Sequence, residues 1–406
     1  MIAQKISSEL EKAKALSVLS VVDLVRAILE DAFSLRASDV HLHPSEKVVR
    51  IRFRIDGILC DVANFSRAIF PEVVSRIKIL SNLRTDEHKT PQDGRLRYSV
   101  EIPTDFPPFD VRVSCVPTHH GESVVLRLLT SSIGNDSLSM LGFLPKDEVA
   151  ILSALQRQSG MVLVTGPTGS GKTTTLYTLV KLLNKNETSI VTIEDPIEYA
   201  LSGIKQIQTH SRVGLTFANG LRSILRQDPD IIMVGEIRDA ETAKIAINTA
   251  LTGHLLLSTL HTIDCATTIP RFLDMGVEPF LVASTLRLVV AQRLVRKICT
   301  ECKIAHTISA IEKETLRDVY KHDLKSAWRG AGCTYCKQSG YCGRVVVAEV
   351  LVIDDFIREA IIARSSAVKI KNIALELGMI PLIKDGLQKV EMGMTTIEEV
   401  LRCLHD

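Results

Sequence analysis

The sequence predicts an α/β protein in two unequal parts: a small α+β domain at the N-terminus and a larger domain built on a mostly parallel sheet covered on both faces. Three observations lead there. KVVRIRFRIDG, residues 47–57, alternates apolar and basic residues with the two-residue period of a half-buried strand. Further along, the continuous apolar runs MVLVT, IVTIE, IIMVGE and LLLSTLH are separated by helix-length segments, the pattern of strands buried on both faces. Between the two patterns lies TSSIGNDSLS, Thr130 to Ser139, a polar stretch bearing Gly and Ser that reads as the linker.

Composition narrows the function classes. At 406 residues, 46% apolar and 24% charged, the chain is too long for one small module of about 150 residues. Lys and Arg number 49 against 47 Asp and Glu, and a net charge of +2 gives no strong field for gripping nucleic acid or an anionic bilayer. The N-terminal MIAQKISSELEKAKALSVLS is an amphipathic helix candidate without the apolar core of a signal peptide. The longest stretch free of acidic and basic side chains, Ile245 to Ile263, is interrupted by polar residues and reads as a buried element, not a membrane span.

In the first domain, residues 1–130, apolar positions from Val21 to Phe33 recur at helical spacing, with Ser20 and Asp23 placed as a capping box. Val49, Ile51, Phe53 and Ile55 then share one strand face, and Arg50, Arg52 and Arg54 the other, before an Asp56-Gly57 turn. A helix is expected over Ile69 to Leu83, and strands over GRLRYSV, FDVRVSCV and ESVVLRLL. The arginine stripe reads first as a solvated sheet face, since few aromatics (4%) are available to stack bases. Residues 131–139 form the expected linker.

In the second domain GPTGSGKT, Gly166 to Thr173, fits the phosphate-binding loop, with the strand MVLVT before it and a helix from Lys172 after it. Glycines let successive N–H groups point at phosphate oxygens and the helix adds its positive end. Gly166, Pro167, Thr168, Gly169, Ser170, Gly171, Lys172, Thr173 and Thr174 are the expected nucleotide-binding set, with Thr173 the Mg²⁺ ligand. Glu236 closes the strand IIMV, and Glu194 and Asp195 close IVTIE; a carboxylate at a strand's C-terminal end can reach a metal or an attacking water. From the pattern alone, Glu194 and Asp195 could equally be an N-cap and a surface charge. His254 and His261 flank LLLSTL, and their spacing by itself carries no metal signature.

Nine cysteines include two Cys-x-x-Cys pairs, Cys299/Cys302 and Cys333/Cys336, with 30 residues between the pairs. Each pair can chelate one side of a tetrahedral Zn²⁺, and the pattern favours a reducing compartment. The intervening loop is longer than in common zinc ribbons. Cys342 is a weaker fifth candidate, and Cys60, Cys115, Cys265 and Cys403 read as isolated core thiols.

Four phrases now coincide in order: GPTGSGKT, IEDPIEY, RQDPDIIMVGEIRD and LTGHLLLSTLHT. They resemble the Walker A, Asp box, Walker B and His box of the secretion ATPases that power type II secretion and assemble type IV pili. RASDVHLHP, RFRIDG, PQDGR and GESVVLRLL look like that family's second N-terminal domain, and GMIPLIKDGLQKVEMGMTTIEEVLR like its C-terminal helical region, so the likeness runs from about Val21 to the end. It implies a RecA-like P-loop core over 140–298, a tetracysteine zinc subdomain over 299–343 and a C-terminal region over 344–406. It also implies a hexamer hydrolysing ATP with Mg²⁺, with the N-terminal domain closing over the nucleotide. Carried over by position, Lys172, Glu194 and Glu236 are catalytic, His254 and His261 sense the γ-phosphate, and Arg95 and Arg112 reach the phosphates. The arginine stripe becomes a contact between subunits. The implied partner is an inner-membrane platform protein, with membrane association through protein partners only, at the inner face of the cytoplasmic membrane, and no direct nucleic acid. The family's secretion members often carry an additional N-terminal domain that docks on a membrane partner; this sequence is expected to lack it. Two alternatives compete: a DNA-translocating or DNA-uptake-linked motor on the same core, which the charge balance disfavours, and a non-hydrolysing scaffold.

Overall fold

The computed structural model describes residues 20–99, 108–129, 137–308, 314, 316–317, 324 and 326–405. Most of the N-terminal helix candidate, and residues 131–136 of the expected linker, lie outside the described residues; Ser137 already caps a short helix, α3 (Leu138–Leu141). The chain divides into two compact units, residues 1–133 with 332–340, and residues 134–331 with 341–406.

The first unit packs two helices on a six-stranded antiparallel sheet. α1 (Val21–Ser34) begins at Ser20, whose Oγ accepts the Asp23 N–H and donates to the Asp23 carboxylate. β1 (Ala37–Pro44), β2 (Val48–Ile55) and β3 (Ile58–Ser66) follow, then α2 (Phe70–Leu80), β4 (Gln92–Tyr98), β5 (Phe109–Thr118) and β6 (Gly121–Leu129). Their order is β3-β2-β1-β6-β5-β4. Val40 and Leu42 of β1 and Val49, Ile51 and Phe53 of β2 bury the same face as Leu24, Ile28 and Leu29 of α1 and Val73 and Ile77 of α2. Each such side chain contributes roughly 1.5–3 kcal/mol. α2 stops three residues before the expected Leu83 because Asn82 takes φ +55°, and β4 starts two residues early because Gln92 and Asp93 pair with Cys115 and Ser114. On the arginine stripe, Arg54 approaches Asp39 to 3.6 Å and Arg127 donates to Asp39 at 2.9 Å, so part of its charge is matched within the sheet.

The second unit centres on a seven-stranded sheet. After α4 (Pro145–Leu155), its elements are β7 (Gly160–Thr165), α5 (Lys172–Leu183), β8 (Ile190–Glu194), β9 (Lys205–Gln208), α6 (Phe217–Ile224), β10 (Ile231–Val234), α7 (Ala240–Leu251), β11 (Leu255–Leu260), α8 (Cys265–Asp274), α9 (Pro279–Thr285) and β12 (Leu286–Ile298). The short hairpin β13 (Lys303–His306) and β14 (Ala327–Gly330), the long β15 (Tyr341–Val352) and the helices α10 (Asp355–Ile362), α11 (Ala367–Glu376), α12 (Leu382–Glu391) and α13 (Ile397–His405) complete it. The order is β15-β12-β7-β11-β10-β8-β9, all parallel except β15, which runs antiparallel to β12. β7, β8, β10 and β11 are buried at every position, and separate apolar clusters cover the two faces. The uncharged stretch 245–263 becomes the end of α7, a turn and β11. Among the described residues, no helix is long and apolar enough to cross a membrane.

α12 is anchored by charge. Asp385 and Lys389 are fully buried and paired at 2.5 Å, and Asp385 also accepts the Ala348 N–H of β15 at 2.8 Å. Asp147 of α4 lies close enough to feel both charges, and burial, with repulsion from Asp385, pushes its carboxyl up to about 6. Lys389 and Lys146 act against that rise. An unfolded Asp titrates near 4, so the native state loses stability as pH climbs from about 4 to 6, and the full penalty persists above. Asp147→Asn should raise unfolding stability by roughly 1–3 kcal/mol at pH 8 and leave it unchanged at pH 4, read by denaturant titration; equal effects at both pH values would contradict this account.

Candidate nucleotide and metal sites

The phosphate-binding loop forms where β7 hands over to α5. Gly166, Gly169 and Gly171 have φ of +144°, +80° and +87°, and a Cβ on Gly166 would meet the Gln292 carbonyl oxygen at 2.5 Å. Only glycine fits that approach. Gly171 is the N-cap of α5 and supplies no side-chain cap, so the first N–H groups of the helix are not taken by one. Among the described residues, the buried Ser170 Oγ has no hydrogen-bond partner, while Pro167, Thr168, Gly169 and Thr173 are exposed and Thr174 is half-buried. Lys172 Nζ folds onto the loop, donating to the carbonyls of Gly166 at 2.8 Å and Pro167 at 3.0 Å. Burial lowers its ammonium to about 8, with Glu236 acting against that shift. Glycine cradle, helix N-terminus, orphaned hydroxyl and lysine together suit a phosphate chain.

Parallel register sets what surrounds the loop. Thr165 pairs with Leu260, Ser258 with Val234, and Val234 with Ile193. Gly166, His261, Gly235-Glu236 and Glu194 therefore stand at or just past the same edge of four adjacent strands, successive strands being about 4.8 Å apart. Glu236 is clamped at both oxygens: Arg238 lies 2.6 Å from Oε1, and His261 Nε2 lies 3.2 Å from Oε2. Glu194 is held differently. It is 3% exposed and accepts from the Tyr177 hydroxyl, from Thr192 Oγ1 at 2.6 Å and from Gln206 Nε2 at 3.1 Å. Tyr177 OH also accepts the Glu198 N–H at 3.2 Å, tying the EDPIE segment to α5; burial and the Glu194 carboxylate push its phenol up. Glu194 has its oxygens committed to neutral donors, whereas among the described residues Glu236 pairs with a cationic and a titratable group, either of which can exchange it for another partner. Asp195, next along, is exposed.

His254 does not join this site. β11 runs from Leu255 to Leu260, and Leu255 pairs with Gly160 at the start of β7, so His254 sits at the opposite end of the strand from His261. A six-residue strand separates them by about 20 Å. Its Nδ1 lies 3.2 Å from the Thr249 carbonyl, so the structure does not bring His254 together with His261 and the phosphate loop of the same chain. Arg95 and Arg112 belong to the other unit, where they are cross-strand neighbours on β4 and β5.

Three residues at the site escaped the sequence reading. Arg238 sits two positions beyond Glu236, and Tyr177 one turn and a half into α5. Gln292 of β12 braces the loop, donating to Ser170 O at 2.7 Å and accepting from Thr175 Oγ1 at 2.9 Å. A single glutamine inside RLVVAQRLV was the available signal for it.

The Sγ atoms of Cys299, Cys302, Cys333 and Cys336 all lie within 4.8 Å of one another, those of Cys333 and Cys336 at 3.6 Å. Four thiolates around one Zn²⁺ stand about 3.8 Å apart. Cys336 Sγ accepts the N–H groups of Cys333 at 3.2 Å and Gly340 at 3.3 Å, bonds that support a thiolate. The donor set fits zinc. Cys115 and Cys265 are buried, and Cys60, Cys342 and Cys403 half-buried.

The chain is 46% identical over 395 residues to the type IV pilus assembly ATPase PilB of Myxococcus xanthus, covering 96% of this chain and 69% of that one. It is 45% identical over 386 residues to the type II secretion system protein HxcR of Pseudomonas aeruginosa, covering 95% and 78%. Among solved structures, the pilus retraction motor PilT with bound ADP matches with a TM-score of 0.62 at 25% identity over 92% of this chain and 95% of that one. The Legionella pneumophila ATPase DotB shares the fold with a TM-score of 0.68 at 23% identity, over 95% of each chain. The profile of the Type II/IV secretion system protein family matches residues 14–402, and the chain belongs to that family.

Proposed function

We propose that the chain is an ATP hydrolase that works as a homohexamer and drives assembly of a type II pseudopilus or a type IV pilus. It would act through an inner-membrane platform protein at the cytoplasmic face, without binding nucleic acid. The observation that carries the reading is the shared strand edge bearing the Lys172 loop, Glu236 and His261. The names of the similar proteins favour secretion or pilus assembly over the DNA motor.

The division of labour follows from partners. Lys172 leaves the Gly166 and Pro167 carbonyls for the phosphates, a stronger charge-assisted contact. Glu236 exchanges Arg238 or His261 for a water and takes its proton, and His261 reports whether the γ-phosphate is there. Glu194 holds the EDPIE segment against α5 and remains a candidate to polarise that water. Thr173 would hold Mg²⁺, which when bound neutralises the charge developing on the phosphates. Arg95 and Arg112 add bidentate charge on closure, coupling hydrolysis to movement. The four cysteines would hold a closed structural Zn²⁺.

Steady-state hydrolysis measured beside binding of a non-hydrolysable ATP analogue tests these roles. Glu236→Gln should keep analogue affinity and lose turnover by about a hundredfold or more; robust hydrolysis would remove Glu236 as the base. The pair Arg95→Ala and Arg112→Ala should slow turnover with little change in affinity, and parental turnover would exclude both. Purified chain should carry one zinc, and its chelation should loosen the cysteine segment while ATP still binds. Equal loss of both on chelation would argue against a peripheral structural metal.

A further inference from the structure

Glu349 lies in β15 within the apolar run VVVAEVLV and is 1% exposed. A carboxylate buried in a sheet costs several kcal/mol unless its oxygens find donors. Its Oε1 accepts the Cys265 N–H at 2.8 Å, and its Oε2 accepts the Leu382 N–H at 3.4 Å. These amides open α8 and α12, where helical N–H groups have no partner within their own helix. One side chain thus fastens two helix starts to the same strand.

α8 begins four residues after His261, and the intervening turn is bonded on both sides. Asp264 caps α8 by accepting the Thr267 N–H at 2.8 Å, and its other oxygen pairs with Lys371 of α11 at 3.0 Å. The Thr262 hydroxyl lies 2.7 Å from that of Thr165 and 2.8 Å from that of Thr268, and the Thr262 N–H donates to Thr165 Oγ1 at 2.9 Å. Thr165 is the last residue of β7, directly before Gly166. Hydrogen bonds therefore run from the entry of the phosphate loop, through the turn bearing His261, to the first turn of α8 and Glu349, and from there to the C-terminal helices.

We propose that Glu349 is a positioning residue for ATP hydrolysis: by holding the first turn of α8 it fixes the turn that sets His261 against Glu236. This rests on the ATPase reading above. The contact it controls is the 3.2 Å approach of His261 Nε2 to Glu236 Oε2, and misplacing a reacting group by about 1 Å costs up to about a hundredfold in rate. Burial pushes the Glu349 carboxyl up, against the two amides and Lys371. Glutamine, of the same shape and keeping an acceptor for Cys265, is therefore the conservative replacement.

The test uses the full chain and reads turnover, analogue affinity and amide hydrogen exchange at the start of α8. Glu349→Ala should lower kcat about tenfold or more with affinity held within about threefold, and should speed exchange at Cys265 to Ile269. Glu349→Gln should return kcat to within about threefold of the parent. Thr262→Val cuts the same chain at its loop end and should give the same split, so it decides the matter if Glu349→Ala does not fold. Parental kcat in Glu349→Ala or Thr262→Val, or affinity falling in step with kcat, overturns the positioning role. A parent without turnover overturns the ATPase reading instead; exchange then decides alone, and unchanged exchange in Glu349→Ala overturns the positioning.

Discussion

The candidate nucleotide site depends on the parallel pairing of β7, β11, β10 and β8. Because these strands run the same way and end in step, the phosphate loop, His261, Glu236 and Glu194 meet at one edge although they are spread over nearly a hundred residues of sequence. Parallel strands need helices to return the chain, and those helices bury both sheet faces, which is why the four strands are buried at every position and mostly apolar. The charged groups are thereby forced to the strand ends, while the few polar residues inside, Thr192, Ser258 and Thr259, carry hydroxyls. Chemistry at the edge and stability in the middle come from the same arrangement.

Around that edge, charge is managed by pairing. Lys172 rests on carbonyls, Glu236 rests between Arg238 and His261, and Glu194 is enclosed by hydroxyls and an amide. The exposed Arg238 contact is worth at most about 1 kcal/mol, small enough for a substrate to replace. The Glu194 enclosure is buried and expensive to open. Two carboxylates at the ends of neighbouring strands thus differ in mobility because their surroundings differ. The same logic separates the exposed stripe at Arg50 from the buried Asp385–Lys389 pair: the former costs little to leave solvated, whereas losing one partner of the latter strands a charge in the core.

Much of this was legible in the sequence wherever one force dominates. GPTGSGKT between an apolar run and a helix leaves few alternatives, and the four apolar runs became the four central strands. β12 and β15 were not read as strands, since Gln292, Arg293, Glu349 and their neighbours interrupt the apolar pattern. Gln292 braces the phosphate loop and Glu349 caps helices, partners distant in sequence. β1 was hidden by His41 and His43, which alternate with the buried Val40 and Leu42. Both ends of LLLSTL carry a histidine, and only register with β7 reveals which end meets the phosphate loop. The tetracysteine pairing was legible from spacing and resemblance together, because cysteine chemistry restricts the options even across a long loop.

The central claim is that Lys172 and Glu236 meet the triphosphate at the shared strand edge. Its most direct test is a structure of the chain with Mg²⁺ and a non-hydrolysable ATP analogue, read at Lys172 Nζ. The account predicts that Nζ leaves the Gly166 and Pro167 carbonyls for the β- and γ-phosphates, with Glu236 freed from at least one of its two present partners. An analogue bound with Lys172 still on those carbonyls and Glu236 still clamped by both Arg238 and His261 would contradict it.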